Sequence, residues 1–164
     1  MKKLKPLTFI PLIFMLSIIF SFSAQSGEKS GKLSYKISYK IIEVKNDVFN
    51  EGKTEDEIAT GAKKIHLYVR KAAHMTEYFI LCVTILFPLY MYGLRGIKLF
   101  LAAIILSAVF AGLDEYHQSF VDGRGPSVKD VLIDSSGAFI AGLIWISLIK
   151  IKEHFKLKIK AGHV

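Results

Sequence analysis

The stretch RKAAHMTEYFILCVTILFPLYMY, residues 70–92, opens on a charged turn and then carries no charge from residue 78 onward. Arg70, His74 and Glu77 are spaced four and three apart, so on a helix they share one face. From Lys71 to Tyr92 the run has about the ~20 residues that a helix needs to cross the hydrocarbon of a bilayer. Pro88 is placed to bend or end it. Three further apolar runs repeat the pattern, giving expected spans at about 7–23, 72–92, 97–113 and 131–149. Trp145 and Lys150 stand as interface anchors at the far end of the last. The spacing predicts an all-α polytopic membrane protein with four transmembrane helices, built as a single domain over residues 1–164.

Composition agrees. The chain has 164 residues, 52% of them hydrophobic, too apolar for a soluble domain of this size. Its net charge of +8 gathers at Lys2, Lys3 and Lys5, before Arg70, and beyond Lys150. Basic ends flanking apolar runs suit an anionic membrane surface. No nucleic-acid motif or aromatic–basic ladder is present. Cys82 is the single cysteine, so no intramolecular disulfide forms and the redox compartment is left open.

Loop charges give an orientation. Residues 93–98 hold Arg95 and Lys98 and no acid, and the tail 150–164 holds five Lys against Glu153. Both read as cytoplasmic, as does the N-terminus with its three Lys. Residues 114–130 mix signs and read as outside. Residues 24–70 are then also outside, although they are rich in Lys as well as acid, a partial exception to the positive-inside tendency. The expected location is a cytoplasmic (inner) membrane, multi-pass, with both termini cytoplasmic. A second reading of the first run is a signal peptide, since Ser-Phe-Ser-Ala at 21–24 offers small residues to a peptidase.

The outer segment 24–70 has structure of its own. Thr54 followed by Glu57 is a capping box. Behind it Ile58, Ala62, Ile65 and Val69 recur at helical spacing, so a helix runs on into the second span. Upstream, Leu33, Ile37, Ile41, Val44 and Val48 fit one helical face, while Leu33, Tyr35, Ile37, Tyr39 and Ile41 fit a strand. A lone strand would leave two open edges, which favours an amphipathic helix lying on the membrane surface. One or two short amphipathic helices are expected in this loop.

With spans in alternating directions, the unusual polar residues meet on one membrane face. Ionisable groups there are costly to desolvate, so each needs a partner or a task. On the third run Ser107, Ala111, Asp114 and Gln118 share a face; on the fourth, Asp130, Asp134, Gly137 and Ala141 do the same. Gly137 and Ala141 form a small-xxx-small pair that lets helices approach closely. The turn Asp122-Gly123-Arg124-Gly125-Pro126 hangs over the cluster and can return Arg124 to it. The ligand-binding set read from this convergence is Gln25, Arg70, Lys71, His74, Glu77, Asp114, Glu115, Gln118, Arg124, Asp130 and Asp134. Cations suit phosphate or carboxylate, and acids suit amine or hydroxyl groups.

Other readings stay open beside a head-group site. The four cations Arg70, Lys71, Arg124 and Lys129 nearly balance the five acids Glu77, Asp114, Glu115, Asp130 and Asp134, as a purely structural ion-pair network would. An acid–base site would draw on His74, Glu77, Asp114, Glu115 or His117, acting on a lipid-linked substrate. A metal site of His74, Glu77, Glu115 and His117 follows no strong ligand motif, and neither a metal nor a cofactor is assigned. No serine elbow or Gly-rich phosphate loop is present.

Three blocks together resemble the VanZ-like family. Phe22-Ser23-Ala24-Gln25 is similar to its Phe-Ser-Ser-Gln signature. Residues 70–78 resemble its Arg-Lys-x-x-His-x-x-Glu-Tyr block. Asp114, Glu115, Gln118, Phe120, Gly123, Arg124, Asp130, Asp134 and Gly137 fall as in its third block. Ala24 departs from the second Ser, and the Lys-rich outer segment is longer. The resemblance implies four retained spans, a bacterial cell-envelope role and a link to the teicoplanin (glycopeptide) antibiotic resistance of the founding member. The expected partners are membrane lipids and a lipid-linked cell-wall precursor or another envelope molecule, with no nucleic acid.

Overall fold

A 3-10 helix, Lys2–Phe9, leads into α1, Ile10–Ser23, with Pro11 in the first turn, where its missing N–H costs nothing. This is a computed structural model, and it describes residues 2–161. Four further helices follow: α2, Gly27–Phe49; α3, Glu55–Met91; α4, Gly96–Gln118; and α5, Val128–Ala161. The four helices long and apolar enough to cross a membrane are Lys5–Ser23, Glu55–Met91, Gly96–Gln118 and Val128–Phe155.

The outer segment is helical apart from residues 24–26 and 50–54, so the strand alternative for residues 33–41 is not realised. α2 is one helix of 23 residues, longer than the short helices expected. Ser26 caps its start by accepting from Lys29 N, and Asn50 ends it at φ 49°, a left-handed conformation that Asn tolerates. The Thr54–Glu57 capping box is formed in both directions and starts α3. At 37 residues α3 is about 55 Å long at ~1.5 Å per residue, well beyond the ~30 Å hydrocarbon thickness. Its first part therefore stands clear of the membrane. α2 lies antiparallel against it, burying Ser34 and Ser38, whose hydroxyls bond Ser30 O and Ser34 O of their own helix. A partner helix takes the place of the sheet a strand would need. The stripe Leu33, Ile37, Ile41, Val44 and Val48 stays largely exposed.

α3 is the hub, touching every other helix. Its Tyr78, Leu81, Cys82, Ile85 and Leu86 form the core with Met15 and Ile19 of α1, Leu99, Ala103 and Ala111 of α4, and Ala138 and Ala141 of α5. Lipid tails are as apolar as leucine, so helices in a bilayer associate through close packing, which small residues permit. The large side chains Phe14, Ile105, Val109, Leu132 and Leu143 accordingly point outward, toward lipid. Pro88 does not end α3, which continues to Met91. α4 continues through Gln118 and α5 begins at Val128, so the connection expected at 114–130 shrinks to residues 119–127.

Candidate functional site

The upper ends of α1, α4 and α5 meet the middle of α3 beneath the connection 119–127. That connection is docked onto the start of α2: Gly27 N donates to Asp122 O at 2.9 Å. The approach is so close that a Cβ on Gly27 would lie 2.1 Å from Gly123 O. Gly123 takes φ +71°, open to glycine at no steric cost. Arg124 turns back over the bundle and donates from Nη2 to Phe22 O at 3.3 Å.

Two small clefts open beside each other here. One, of about 130 Å³, lies between α3, α4 and α5 and is lined by Arg70, Lys71, His74, Glu115, Gln118, Asp130 and Asp134. The other, of about 190 Å³, lies between α2, α3 and the end of α1 and is lined by Gln25, Arg70, His74, Glu77 and Arg124. α2 forms one wall of it, through Ser30, Leu33, Ser34 and Ile37. Arg70 and His74 line both clefts. Of the ligand-binding residues expected from sequence, Asp114 alone lines neither. It borders a third cavity of about 610 Å³ on the α1 side, together with His117.

The pairing is sparser than a structural ion network would need. Lys71 Nζ donates to Asp130 Oδ1 at 2.8 Å, a pair with both partners near half exposed. His74 Nδ1 lies 3.8 Å from Glu77 Oε2, too far for a hydrogen bond. Gln118 Nε2 donates to Asp114 Oδ2 at 2.7 Å. Glu115, buried, accepts from Ser127 N at 2.8 Å, and Ser127 Oγ accepts from Asp130 N at 3.2 Å. Glu115 thus ties α4 to the cap of α5, a structural duty for a residue that the sequence offers as an acid or base. Arg70 and Arg124 form no ion pair among the described residues. Arg124 Nε and Nη1 and Asp134 Oδ1 are buried without a hydrogen-bond partner. Partial burial holds the Arg124 guanidinium below its ordinary range, Arg70 adds to this, and Asp114, Glu115 and Glu77 oppose it. Arginine's basicity leaves it cationic all the same.

Some of these roles were missed in the sequence. Ser23, only 3% exposed, places Oγ 3.3 Å from His117 Nδ1, and the His117 ring stacks on Phe20 with centroids 4.7 Å apart. Nothing in the spacing of residues 94 apart signals that contact. Ser127 did carry a signal, a Ser three residues before Asp130 at the head of an apolar run. The α2 wall of the second cleft had none, since it depends on which face of α2 meets α3.

Chemically, the clefts offer two unpaired guanidinium groups, an imidazole and an unpaired carboxylate at the end of a membrane bundle. That set suits a ligand with both an anionic group and hydroxyl or amine donors. Among the described residues no three His, Cys, Asp or Glu side chains gather as ligands for a metal ion.

Comparison with curated proteins and with solved structures found no match. The family model described as VanZ/LLP1 matches residues 8–150, from the first span through the fourth and across every residue of both clefts. With most of its length inside that match, the chain belongs to the VanZ/LLP1 family.

Proposed function

We propose that this membrane protein engages the polar head of an envelope amphiphile, a lipid or a lipid-linked cell-wall precursor, at the paired clefts. One observation carries the reading: polar atoms of ionisable side chains are gathered, buried and left unpaired, as Arg124 Nε and Nη1 and Asp134 Oδ1 are. Leaving a buried polar group unsatisfied costs ~1–3 kcal/mol, more when it is charged, so their retention calls for a function. Arg70 and Arg124 would take a phosphate, and Asp134 and Glu77 a hydroxyl or amine. A contribution to teicoplanin resistance belongs to the same reading as a consequence for the envelope.

The test is binding of a polyprenyl phosphate to the purified protein in nanodiscs. Arg70→Gln with Arg124→Gln is expected to weaken binding at least ~100-fold, since each charge-assisted contact is worth ~1.5–3 kcal/mol. Cells expressing the double variant should lose any teicoplanin protection that the native chain gives. Undiminished binding by the double variant sinks the reading. Turnover of the probe that vanishes in His117→Ala would instead favour an enzyme, which the Ser23–His117 contact supports.

In this reading the clefts face away from the cytoplasm. Arg95 and Lys98 lie at the opposite end of the spans, where positive charge belongs on the cytoplasmic side. A cysteine introduced as Asp122→Cys, at an exposed position, should react with an impermeant thiol reagent in intact cells. Reaction only after lysis would reverse the orientation.

A further inference from the structure

A larger cavity lies beside the clefts, not in them. It runs about 12 Å along α1 from Ile13 to Ser21, at ~1.5 Å per residue, between α1, α3 and α4. Its volume, about 610 Å³, falls within the ~300–1,000 Å³ usual for ligand pockets. α1 leans on α3 and barely touches α4, so the cavity opens sideways. Ile13, Phe20 and Leu113 frame that opening, each more than half exposed, at 62%, 59% and 57%. All three lie within the membrane-crossing helices, so the opening faces hydrocarbon.

The walls sort themselves by polarity along the membrane normal. Leu16, Ile19, Leu81 and Phe110 make the lower walls apolar. Ser17 and Ser21 also line the cavity, but their hydroxyls donate to Ile13 O and Ser17 O of their own helix and leave no donor for an occupant. Tyr78 also lines the cavity, its hydroxyl donating to Phe110 O at 3.4 Å, and the ionisable side chains Asp114 and His117 stand at the upper end. There Gln118 holds Asp114, and Ser23 touches His117. One residue from Ser23 is the Phe22 carbonyl on which Arg124 rests, with Nε and Nη1 unpaired. An apolar trough in hydrocarbon whose polar end, at Asp114 and His117, adjoins the segment on which the Arg124 guanidinium rests suits a hydrocarbon chain joined to an anion.

We infer that the α1–α4 groove seats the hydrocarbon chain of a phosphate-bearing lipid whose head lies at Arg124 and the adjoining clefts. The inference rests on the head-group reading for its polar end and adds that the ligand is held by its chain as well. A soluble phosphate carrying the same head then binds poorly.

The test uses the full chain in phosphatidylcholine nanodiscs doped with a long-chain alkyl phosphate bearing a photoreactive diazirine on the chain. Labels are expected on Ile13, Leu16 and Phe110, displaced by unlabelled long-chain phosphate but not by ethyl phosphate. Ile13→Trp and, separately, Leu113→Trp fill the opening at exposed positions, where folding is little affected, and each should cut groove labelling about tenfold, the low end of what hydrophobic-pocket changes produce. Labels spread over the lipid-facing residues Phe14, Ile105 and Val109, and unchanged by both tryptophans, would overturn the groove while leaving the head-group reading intact. Groove labelling that survives both tryptophans overturns it equally. Labelling that the tryptophans abolish but Arg70→Gln with Arg124→Gln leaves untouched keeps the groove and removes the head-group reading.

Discussion

Gly137→Ala should destabilise the bundle by about 3 kcal/mol or more, at or above the top of the range typical of overpacking. A Cβ at Gly137 would lie 2.0 Å from Met75 O and 2.9 Å from Met75 C. Both are backbone atoms, so no rotamer change relieves the clash and α3 must move away from α5. Two other glycines calibrate the expectation. At Gly142 the added carbon meets the Phe100 ring at 2.8 Å, a side chain that can turn, and a smaller loss follows. At Gly112 it meets nothing within 4 Å, and alanine should gain up to ~1 kcal/mol of helix propensity. Thermal unfolding in detergent should rank the variants Gly112→Ala, Gly142→Ala, Gly137→Ala from most to least stable. A native-like melting temperature for Gly137→Ala would mean that α3 and α5 are not this close. The contact also matters for the clefts. Asp134 sits one turn above Gly137 on the same face, and His74 precedes Met75, so the close approach sets how near that carboxylate comes to Arg70 and His74.

The second large effect splits stability from binding. Asp134 is 1% exposed and its Oδ1 has no hydrogen-bond partner. A carboxylate held that way is costly, and an amide of the same shape removes the charge without changing the volume. Asp134→Asn is therefore expected to raise thermal stability by about 1–3 kcal/mol. The same change should weaken binding of a polyprenyl phosphate sugar, whose hydroxyls would donate to Asp134, at least tenfold, about 1.4 kcal/mol, and should leave binding of the bare polyprenyl phosphate undiminished. Asp130→Asn is the contrast. Its pair with Lys71 is near half exposed on both sides and worth at most ~1 kcal/mol, so stability should barely change. If Asp134→Asn lowers stability, that carboxylate belongs to a structural network after all.

The spans and their faces were legible because they are local. Apolar runs of bilayer length, four-and-three spacing at Arg70, His74 and Glu77, and the Thr54–Glu57 box all follow from rules that act within a few turns of one helix. The same periodicity placed Asp134 and Gly137 on one face of α5, which is why the polar cluster itself was readable. Pairing within the cluster was not. Near-equal numbers of acids and bases suggested mutual neutralisation, yet Glu115 turns to a backbone N–H and Arg124 to a carbonyl. Charge counting is blind to that choice, because backbone groups at helix ends compete for the same side chains.

What the sequence determined by itself is that four helices cross a membrane and carry the acids Glu77, Asp114, Glu115, Asp130 and Asp134 to one end, since hydropathy and helical spacing are properties of each segment alone. Tertiary structure alone decided the rest: that α2 walls the second cleft, that Gly137 brings two backbones together, and that α1 stands off α4 to leave a groove. Those outcomes depend on distances between helices, which arise from packing among residues far apart in the chain.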